Sequence, residues 1–180
     1  MKQGVAFAVV AFAIGIGNLL PGSVAEVDSS FHQFLSSVHV VSGGFKAGPR
    51  VLISVAGESY LDIAGEEGRG LNVIAFHNGT VVLFEQFDFY AEADASQRLS
   101  KAIDGLPDGA FVVMAVCDDA SSNFDRKARL AIKKVGGQSD LSQNFRWSYY
   151  LIGRKGLKPG EAVEAWGPGE MIHEPGSPTD

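Results

Sequence analysis

The chain has 180 residues, of which 46% are apolar, and this size suits one domain with a single hydrophobic core and short tails. Its 21 acidic and 15 basic residues give a net charge of −6, and the lysines and arginines form no run. Nucleic acid and anionic membranes both bind to basic surfaces, so we expect neither as a partner.

The N-terminal segment has the pattern of an export signal. Lys2 supplies a positive charge, residues 3–25 carry none, and Ser23-Val24-Ala25 offers small residues before a cleavage site. The alternative is a retained hydrophobic anchor, although glycine, asparagine and proline interrupt the run of about 20 apolar residues that a span needs. The pattern predicts a secreted or extracytoplasmic protein, attached to a membrane only if residues 1–25 are retained.

Short apolar segments between turn residues predict strands in the first half of the chain. These strands cover residues 38–42, 50–56, 60–63, 71–76 and 81–84. Residues 71–76 are apolar at nearly every position, as expected for a strand covered on both faces. Asn78-Gly79 separates this strand from the next and is the common signal for a two-residue hairpin turn.

The second half of the chain predicts two amphipathic helices between further strands. The first helix begins at Asp94, with Gln97 placed as in a capping box, and its apolar face is Ala95, Leu99, Ala102, Ile103 and Leu106. The second has the apolar face Phe124, Ala128, Ala131, Ile132 and Val135. Residues 110–117 predict a central strand, residues 147–152 and 161–166 two more, and residues 167–180 a flexible tail. This order indicates an α+β (mixed α/β) domain of two layers.

No catalytic motif is present. The chain lacks the nucleophile elbow Gly-x-Ser-x-Gly, a phosphate loop and His-Glu-x-x-His, and its four histidines show no ligand spacing. The single cysteine, Cys117, excludes an intramolecular disulfide and a zinc site built from several cysteines, and it ends an apolar run, which predicts burial. We therefore predict a protein that is not an enzyme and has no metal or cofactor.

The polar pair Asp118-Asp119 directly follows the predicted central strand. Ligands often bind at the carboxyl ends of central strands in open sheets, which favours a binding role. The alternative is structural, with one carboxylate capping a turn and the other solvated. A metal site with Asp125 is a weaker option, because the spacing is not that of a calcium loop.

Arg146 precedes a cluster of aromatic residues that includes Trp147 and Tyr149. A guanidinium beside aromatic rings could hold a sugar, because it donates to hydroxyl groups while a ring covers the flat face of the sugar. The alternative is a salt bridge to a nearby aspartate, with the aromatic residues packed in the core.

Several short blocks stand in a fixed order along the chain. They are Arg69-Gly70-Leu71-Asn72-Val73, Phe87-Asp88, Leu106-Pro107-Asp108-Gly109, Cys117-Asp118-Asp119-Ala120, Phe145-Arg146 and Gly153-Arg154-Lys155-Gly156. In this arrangement the chain resembles the interleukin-like EMT inducer (ILEI)/PANDER-like domain family, over about residues 38–166. The resemblance implies two packed β-sheets flanked by two or three short helices, in a domain spanning residues 26–166.

The same resemblance implies a carbohydrate site. A related domain forms the stem of the glycosyltransferase that adds N-acetylglucosamine to protein O-mannose, and there an aspartate and an arginine bind β-linked N-acetylglucosamine. The matching residues here are Asp118 and Arg146, with Asp119 adjacent. The chain departs from the family pattern at Trp147, usually aspartate, and at Tyr149, usually tryptophan. It also lacks the paired cysteines of the animal secreted members.

These features together predict a secreted, non-enzymatic domain that binds a carbohydrate or a glycoprotein. Its predicted ligand-binding residues are Asp118, Asp119, Arg146, Trp147 and Tyr149. The alternative is a signalling or protein-interaction ligand without a sugar site, including a homo-oligomer that assembles through sheet edges. An exposed aromatic beside Asp118 and Arg146 favours the first hypothesis, and a flat apolar edge strand favours the second.

Overall fold

The computed structural model describes residues 24–177, with side chains from residue 29 onward. Its helices are α1 (Val24–Leu35), α2 (Ala95–Gly105) and α3 (Arg126–Lys134). Its strands are β1 (Val38–Gly44), β2 (Arg50–Val55), β3 (Glu58–Ala64), β4 (Gly70–His77), β5 (Thr80–Phe87), β6 (Phe111–Asp118), β7 (Ser148–Arg154), β8 (Val163–Gly167) and β9 (Met171–His173). Except for its last two residues, the predicted export segment 1–25 lies outside the described residues.

The strands form two layers, which confirms the predicted α+β class. One layer has the order β5-β4-β6-β7-β8 and the other β3-β2-β1-β9, with every neighbouring pair antiparallel. A short parallel pairing, Gly43 with Cys117 and Gly44 with Asp118, connects β1 to β6. The layers predicted as two sheets are therefore joined by hydrogen bonds into one nine-stranded mixed sheet.

Strand β6 lies at the centre of the fold, as its apolar sequence predicts. Val112, Met114 and Val116 face α2 and α3, while Val113 and Ala115 face the second layer. The two faces alternate because successive side chains of a strand point to opposite sides of the sheet. Burying both faces of one strand gives the domain two apolar clusters that share a single sheet.

Both predicted helices are present, but the capping box is not. The side chain of Asp94 accepts no capping hydrogen bond, and Gln97 instead accepts a hydrogen bond from Lys127 of α3. At α3, Asp125 caps the helix by accepting from the backbone N–H groups of Lys127 and Ala128. The apolar faces predicted for both helices cover the β4 and β6 side of the sheet.

Two elements correct the sequence prediction. Helix α1 was not predicted, and it covers the second layer with Phe31 and Leu35, while Phe34 stacks on Phe111 at 4.4 Å between ring centroids. The tail beyond residue 166, predicted to be flexible, contains β9, which pairs with β1 and buries His173 against the Leu35 carbonyl at 3.2 Å. Among residues 24–177, no helix is long and apolar enough to span a membrane.

Candidate functional site

The predicted ligand residues lie where β1 and β6 end together. Asp118 is the last residue of β6 and pairs with Gly44, the last residue of β1. The two strands therefore end at the same edge of the sheet. Strand β4 begins at the same edge, because Gly70 pairs with Cys117. Three segments from distant parts of the sequence therefore place side chains around the Asp118 carboxylate.

Arg146 reaches this edge because its loop packs on a glycine. A Cβ atom at Gly44 would lie 2.6 Å from the Arg146 carbonyl oxygen and 2.5 Å from the Trp147 carbonyl carbon, so no larger residue fits there. The Gly44 N–H also donates to the Ser148 hydroxyl at 2.8 Å. This close contact places Arg146 beside Phe45, the residue after Gly44.

The Arg146 guanidinium lies between two aromatic rings. Its central carbon is 3.9 Å from the centroid of the Phe45 ring and 5.0 Å from that of Phe145. The two rings are 49% and 52% exposed respectively. Among the described residues, the guanidinium has no hydrogen-bond or ion-pair partner, so its donors remain available to a ligand. The salt bridge considered as the alternative role of Arg146 does not form there.

Asp118 is buried without a complete set of partners. The residue is 9% exposed, and its Oδ1 atom has no hydrogen bond with the described residues. Burial raises the pKa of the Asp118 carboxyl, the positive charge of Arg146 opposes that rise, and the negative charge of Asp119 adds to it. An incompletely satisfied buried carboxylate costs free energy, which a ligand hydroxyl donating to it would offset.

Asp119 has the structural role given above as the alternative to ligand binding, because its carboxylate caps a turn. Its Oδ1 atom accepts from the Arg146 backbone N–H at 3.0 Å, and from the Ser121 N–H and hydroxyl. Its Oδ2 atom accepts from the Ser122 hydroxyl at 2.8 Å. Asp119 is buried, and its hydrogen bond with the Arg146 N–H fixes the backbone of that residue.

A second arginine, Arg69, lies close enough to Asp118 to interact with its charge. The Nε and Nη2 groups of Arg69 both donate to Oδ2 of Asp88, at 3.0 and 2.9 Å, and the Arg69 guanidinium lies 5.0 Å from the centroid of the exposed Tyr90 ring. Its charge also opposes the rise in the pKa of Asp118. Because the Asp88 carboxylate already occupies this arginine, Arg146 is the better candidate for contacting a ligand.

The aromatic residues predicted for the site need correction. Tyr149 is buried in the core and its hydroxyl donates to Glu164 at 2.9 Å, so its ring cannot cover a sugar. Trp147 is half-buried and lines a small internal cavity of about 10 Å³ beside Tyr149. Phe45 and Phe145 supply the exposed rings instead. The Phe145-Arg146 block of the sequence includes the Phe145 ring as a neighbour of Arg146. No local sequence pattern indicates Phe45.

The site has no metal-binding geometry within the described part of the chain. No group of three or more histidine, cysteine, aspartate or glutamate side chains comes together there. Asp125, considered as a metal ligand with Asp118 and Asp119, is engaged in capping α3. Cys117 is buried, as predicted, and burial together with the charge of Asp118 raises the pKa of its thiol to about 11.

Comparison with known proteins identifies relatives of the central part of the chain. The mouse cell migration-inducing and hyaluronan-binding protein is 37% identical over 100 residues, which are 56% of this chain and 7% of that protein. Human protein FAM3B is 30% identical over 96 residues, which are 52% of this chain and 40% of that protein. Mouse protein FAM3A is 24% identical over 139 residues, covering 77% of this chain and 57% of that protein.

The chain thus spans less than two thirds of the length of each of these relatives. The family model described as interleukin-like EMT inducer matches residues 69–157. This interval includes Arg69, Asp118 and Arg146 and leaves out Phe45. Residues 69–157 thus match the interleukin-like EMT inducer family, and the order of the sequence blocks and the two-layer fold agree with that match.

Proposed function

We propose that this protein is a non-enzymatic domain that binds a carbohydrate, such as a β-linked N-acetylglucosamine, through Asp118 and Arg146. The observation that carries this proposal is the Arg146 guanidinium, held between two half-exposed rings beside a buried carboxylate and lacking a polar partner in the described chain. A sugar presents both hydroxyl groups and flat apolar faces, so it complements this combination of donors, acceptor and rings.

The division of roles follows from hydrogen-bonding capacity. Arg146 donates to sugar hydroxyl or acetamide oxygens, and Asp118 accepts from a sugar hydroxyl. Phe45 and Phe145 contact the guanidinium and reduce its exposure to water, which strengthens those hydrogen bonds. Asp119 keeps the Arg146 backbone in place.

The same geometry argues against glycoside hydrolysis. Hydrolysis by the common mechanism needs two carboxyl groups that flank the bond, about 5 to 9.5 Å apart. Asp119 is buried and accepts hydrogen bonds on both oxygens, so it is not available as the second group. Asp118 alone supports binding and not this chemistry.

The matched relatives support the class of ligand at a coarse level. One is named as a hyaluronan-binding protein, and hyaluronan is a carbohydrate. Only 7% of that protein matches this chain, so its name supports carbohydrates as a class and does not identify the sugar. We extend the proposal to a secreted or extracytoplasmic location, on the basis of the N-terminal export pattern. N-terminal sequencing that finds exported protein beginning at residue 26 would support cleavage and secretion, and an intact Met1 would support the retained anchor instead.

The proposal is tested by titrating the full chain with methyl β-N-acetylglucosaminide and measuring the affinity by NMR. We expect Arg146→Ala to weaken binding by about tenfold or more, because a charged hydrogen bond contributes roughly 1.5–3 kcal/mol. Arg126→Ala is the matched control, since Arg126 is an exposed arginine on α3, outside the site. If the wild-type protein does not bind the sugar at millimolar concentration, this sugar is excluded as the ligand.

A second comparison tests the aromatic contribution. Phe45 and Phe84 are almost equally exposed, at 49% and 48%, but Phe84 lies on β5, away from Arg146. We expect Phe45→Ala to weaken the affinity for the sugar and Phe84→Ala to leave that affinity unchanged. Equal effects from the two variants would show that the rings act through general stability and not through contact.

The alternative function, assembly through a sheet edge, also has a structural observation in its favour. Strand β5 pairs only with β4 among the described strands, and it exposes the apolar residues Val81, Val82 and Phe84. Such an edge can pair with another chain. Sedimentation of wild type and Phe84→Lys decides between the two functions: a wild-type oligomer that the substitution dissociates would support assembly, and a monomer at all concentrations would contradict it.

A further inference from the structure

A second cleft lies between the end of α3 and strand β8. Its volume is about 310 Å³, and it is lined by Gln138, Ser139, Asp140, Asn144 and Trp166. It contains none of the side chains that surround Asp118 and Arg146. Trp166 also lies outside the interval that the family model matches.

The cleft contains polar groups without protein partners. The Ser139 side chain is buried, with the residue 8% exposed, and its hydroxyl makes no hydrogen bond with the described residues. The carboxamides of Gln138 and Asn144 likewise have no hydrogen-bond partner within residues 24–177. Buried hydroxyl groups in proteins are nearly always hydrogen-bonded, so the unpaired Ser139 hydroxyl points to a bound water or a ligand.

An indole ring forms one wall of the cleft. Trp166 is 47% exposed and lies opposite Tyr149 in the register of β7 and β8. Outside the lining, Glu164 accepts from the Gln138 backbone N–H and from the Tyr149 hydroxyl, each at 2.9 Å, and so holds the Gln138 backbone next to β7. The cleft is therefore already formed in the protein without a ligand, which lowers the entropic cost of binding.

The charges that line the cleft are neutralised within the protein. Asp140 is its only ionisable lining residue, and it forms an ion pair with Arg129 at 2.6 Å. One Asp140 oxygen also accepts from the Ser142 N–H and hydroxyl. A cationic or anionic ligand would find no unpaired opposite charge, so the cleft favours a neutral one.

We propose that this cleft binds a neutral pyranose ring, as a saccharide site independent of Arg146. The indole of Trp166 covers the flat face of the sugar, while Gln138, Asn144 and the Ser139 hydroxyl hydrogen-bond its hydroxyl groups. A carboxamide suits this role because it both donates and accepts, as a sugar hydroxyl does. Concave sites with an aromatic wall and a few placed polar groups are the common form of small-molecule sites.

Signals from the two sites can be followed separately in a ¹H–¹⁵N spectrum. The indole N–H of Trp166 reports on the cleft, and the backbone N–H of Arg146, which donates to Asp119, reports on the other site. The full chain is titrated with methyl β-D-glucopyranoside, and Trp166→Phe assigns the signals. We expect the Trp166 signal to shift saturably at millimolar sugar, in wild type and equally in Arg146→Ala.

Two variants test the contacts. Trp166→Ala should abolish the sugar-induced shifts of the Gln138 and Ser139 backbone amides without unfolding the protein, because the indole is half-exposed. Gln138→Ala should weaken binding about fivefold, as expected for one lost hydrogen bond, and the control Gln143→Ala should not. Gln143 is an exposed glutamine outside the cleft.

Three results would overturn the proposal. They are a Trp166 signal that does not move at the highest soluble sugar concentration, wild-type affinity in Trp166→Ala, and equal affinity for glucuronate, which would contradict the preference for a neutral ring. If the sugar shifts the Trp166 signal but not the Arg146 backbone signal, only the proposal for the Arg146 site fails. The two sites can therefore fail separately.

Discussion

Asp118 and Arg146 share a backbone conformation that residues with side chains seldom adopt. Their φ angles are +64° and +62°, and Ala56 and Asn78 are the other non-glycine residues with positive φ in the described chain. Ala56 and Asn78 lie in the hairpin turns between β2 and β3 and between β4 and β5, where this conformation is common. Asp118 and Arg146 lie at a strand end and in a loop, and such unfavourable conformations cluster at functional sites.

We predict that Asp118→Asn stabilises the protein at neutral pH, because it replaces a buried carboxylate with a neutral group. Burial raises the pKa of Asp118, so the folded protein binds this proton more tightly than the unfolded chain. The resulting stabilisation is complete below the ordinary aspartate pKa of about 3.9 and is lost as the pH rises through the raised value. Asparagine stays neutral and tolerates positive φ, so it keeps that stability.

Thermal unfolding across the pH range measures this effect. The melting temperature of Asp118→Asn should exceed that of wild type by a few degrees near neutral pH and approach it in acid. Asp108→Asn is the control, since that side chain is 98% exposed and loses the same charge. If Asp118→Asn and wild type have the same melting temperature at neutral pH, the prediction is wrong and the Asp118 carboxylate has hydrogen-bond partners in solution.

At the scale of elements, the site depends on the junction between β1 and the central strands. The Ser42 hydroxyl donates to the Val116 carbonyl of β6 at 2.7 Å and accepts from the Tyr149 N–H of β7 at 2.9 Å. Ser148 makes the reciprocal contact by accepting from the Gly44 N–H. These side chains extend the short β1–β6 pairing and hold together the strand ends that present Asp118 and Arg146.

We predict that Ser42→Ala destabilises the protein by about 1–3 kcal/mol, because it leaves a buried backbone N–H and a buried carbonyl without this partner. Chemical denaturation of the variant measures the loss. Ser36→Ala is the control, since the Ser36 hydroxyl donates to the Gln33 carbonyl at an exposed position. Equal stabilities for the two variants would show that the Ser42 hydrogen bonds do not support the junction.

At the scale of the whole molecule, one central strand serves both apolar clusters. The β6 side chains on one face pack with α2 and α3, and those on the other face pack with α1 and the second layer. A destabilising substitution in this strand therefore affects the helices and both layers together. For this reason we expect the fold to unfold as one cooperative unit.

Val113→Asp tests that arrangement. Val113 is fully buried between the layers, so the substitution places an unpaired charge in the interior and should cost several kcal/mol. Val82→Asp on β5 is the control, because Val82 is largely exposed and its substitution should change the stability little. Melting of Val113→Asp within a degree or two of wild type would contradict the central position of β6.

Much of the fold was predictable because its signals are local. The alternating and continuous apolar runs predicted eight of the nine strands to within a few residues, and the helical spacing predicted α2 and α3. The blocks that carry the family resemblance also indicated Asp118 and Arg146 as a ligand site, and this assignment stays a prediction. Burial of Cys117 followed from its place at the end of an apolar run.

The sequence by itself determined the class of the fold, its central strand and two polar residues at one edge. Tertiary structure alone decided that Phe45, and not Tyr149, provides an exposed ring, and that Asp119 supports the backbone of Arg146. It also ordered the tail through β9 and formed the cleft at Trp166. These features depend on contacts between residues far apart in the chain, such as Gly44 with Ser148, 104 positions away, and local sequence patterns do not encode such pairings.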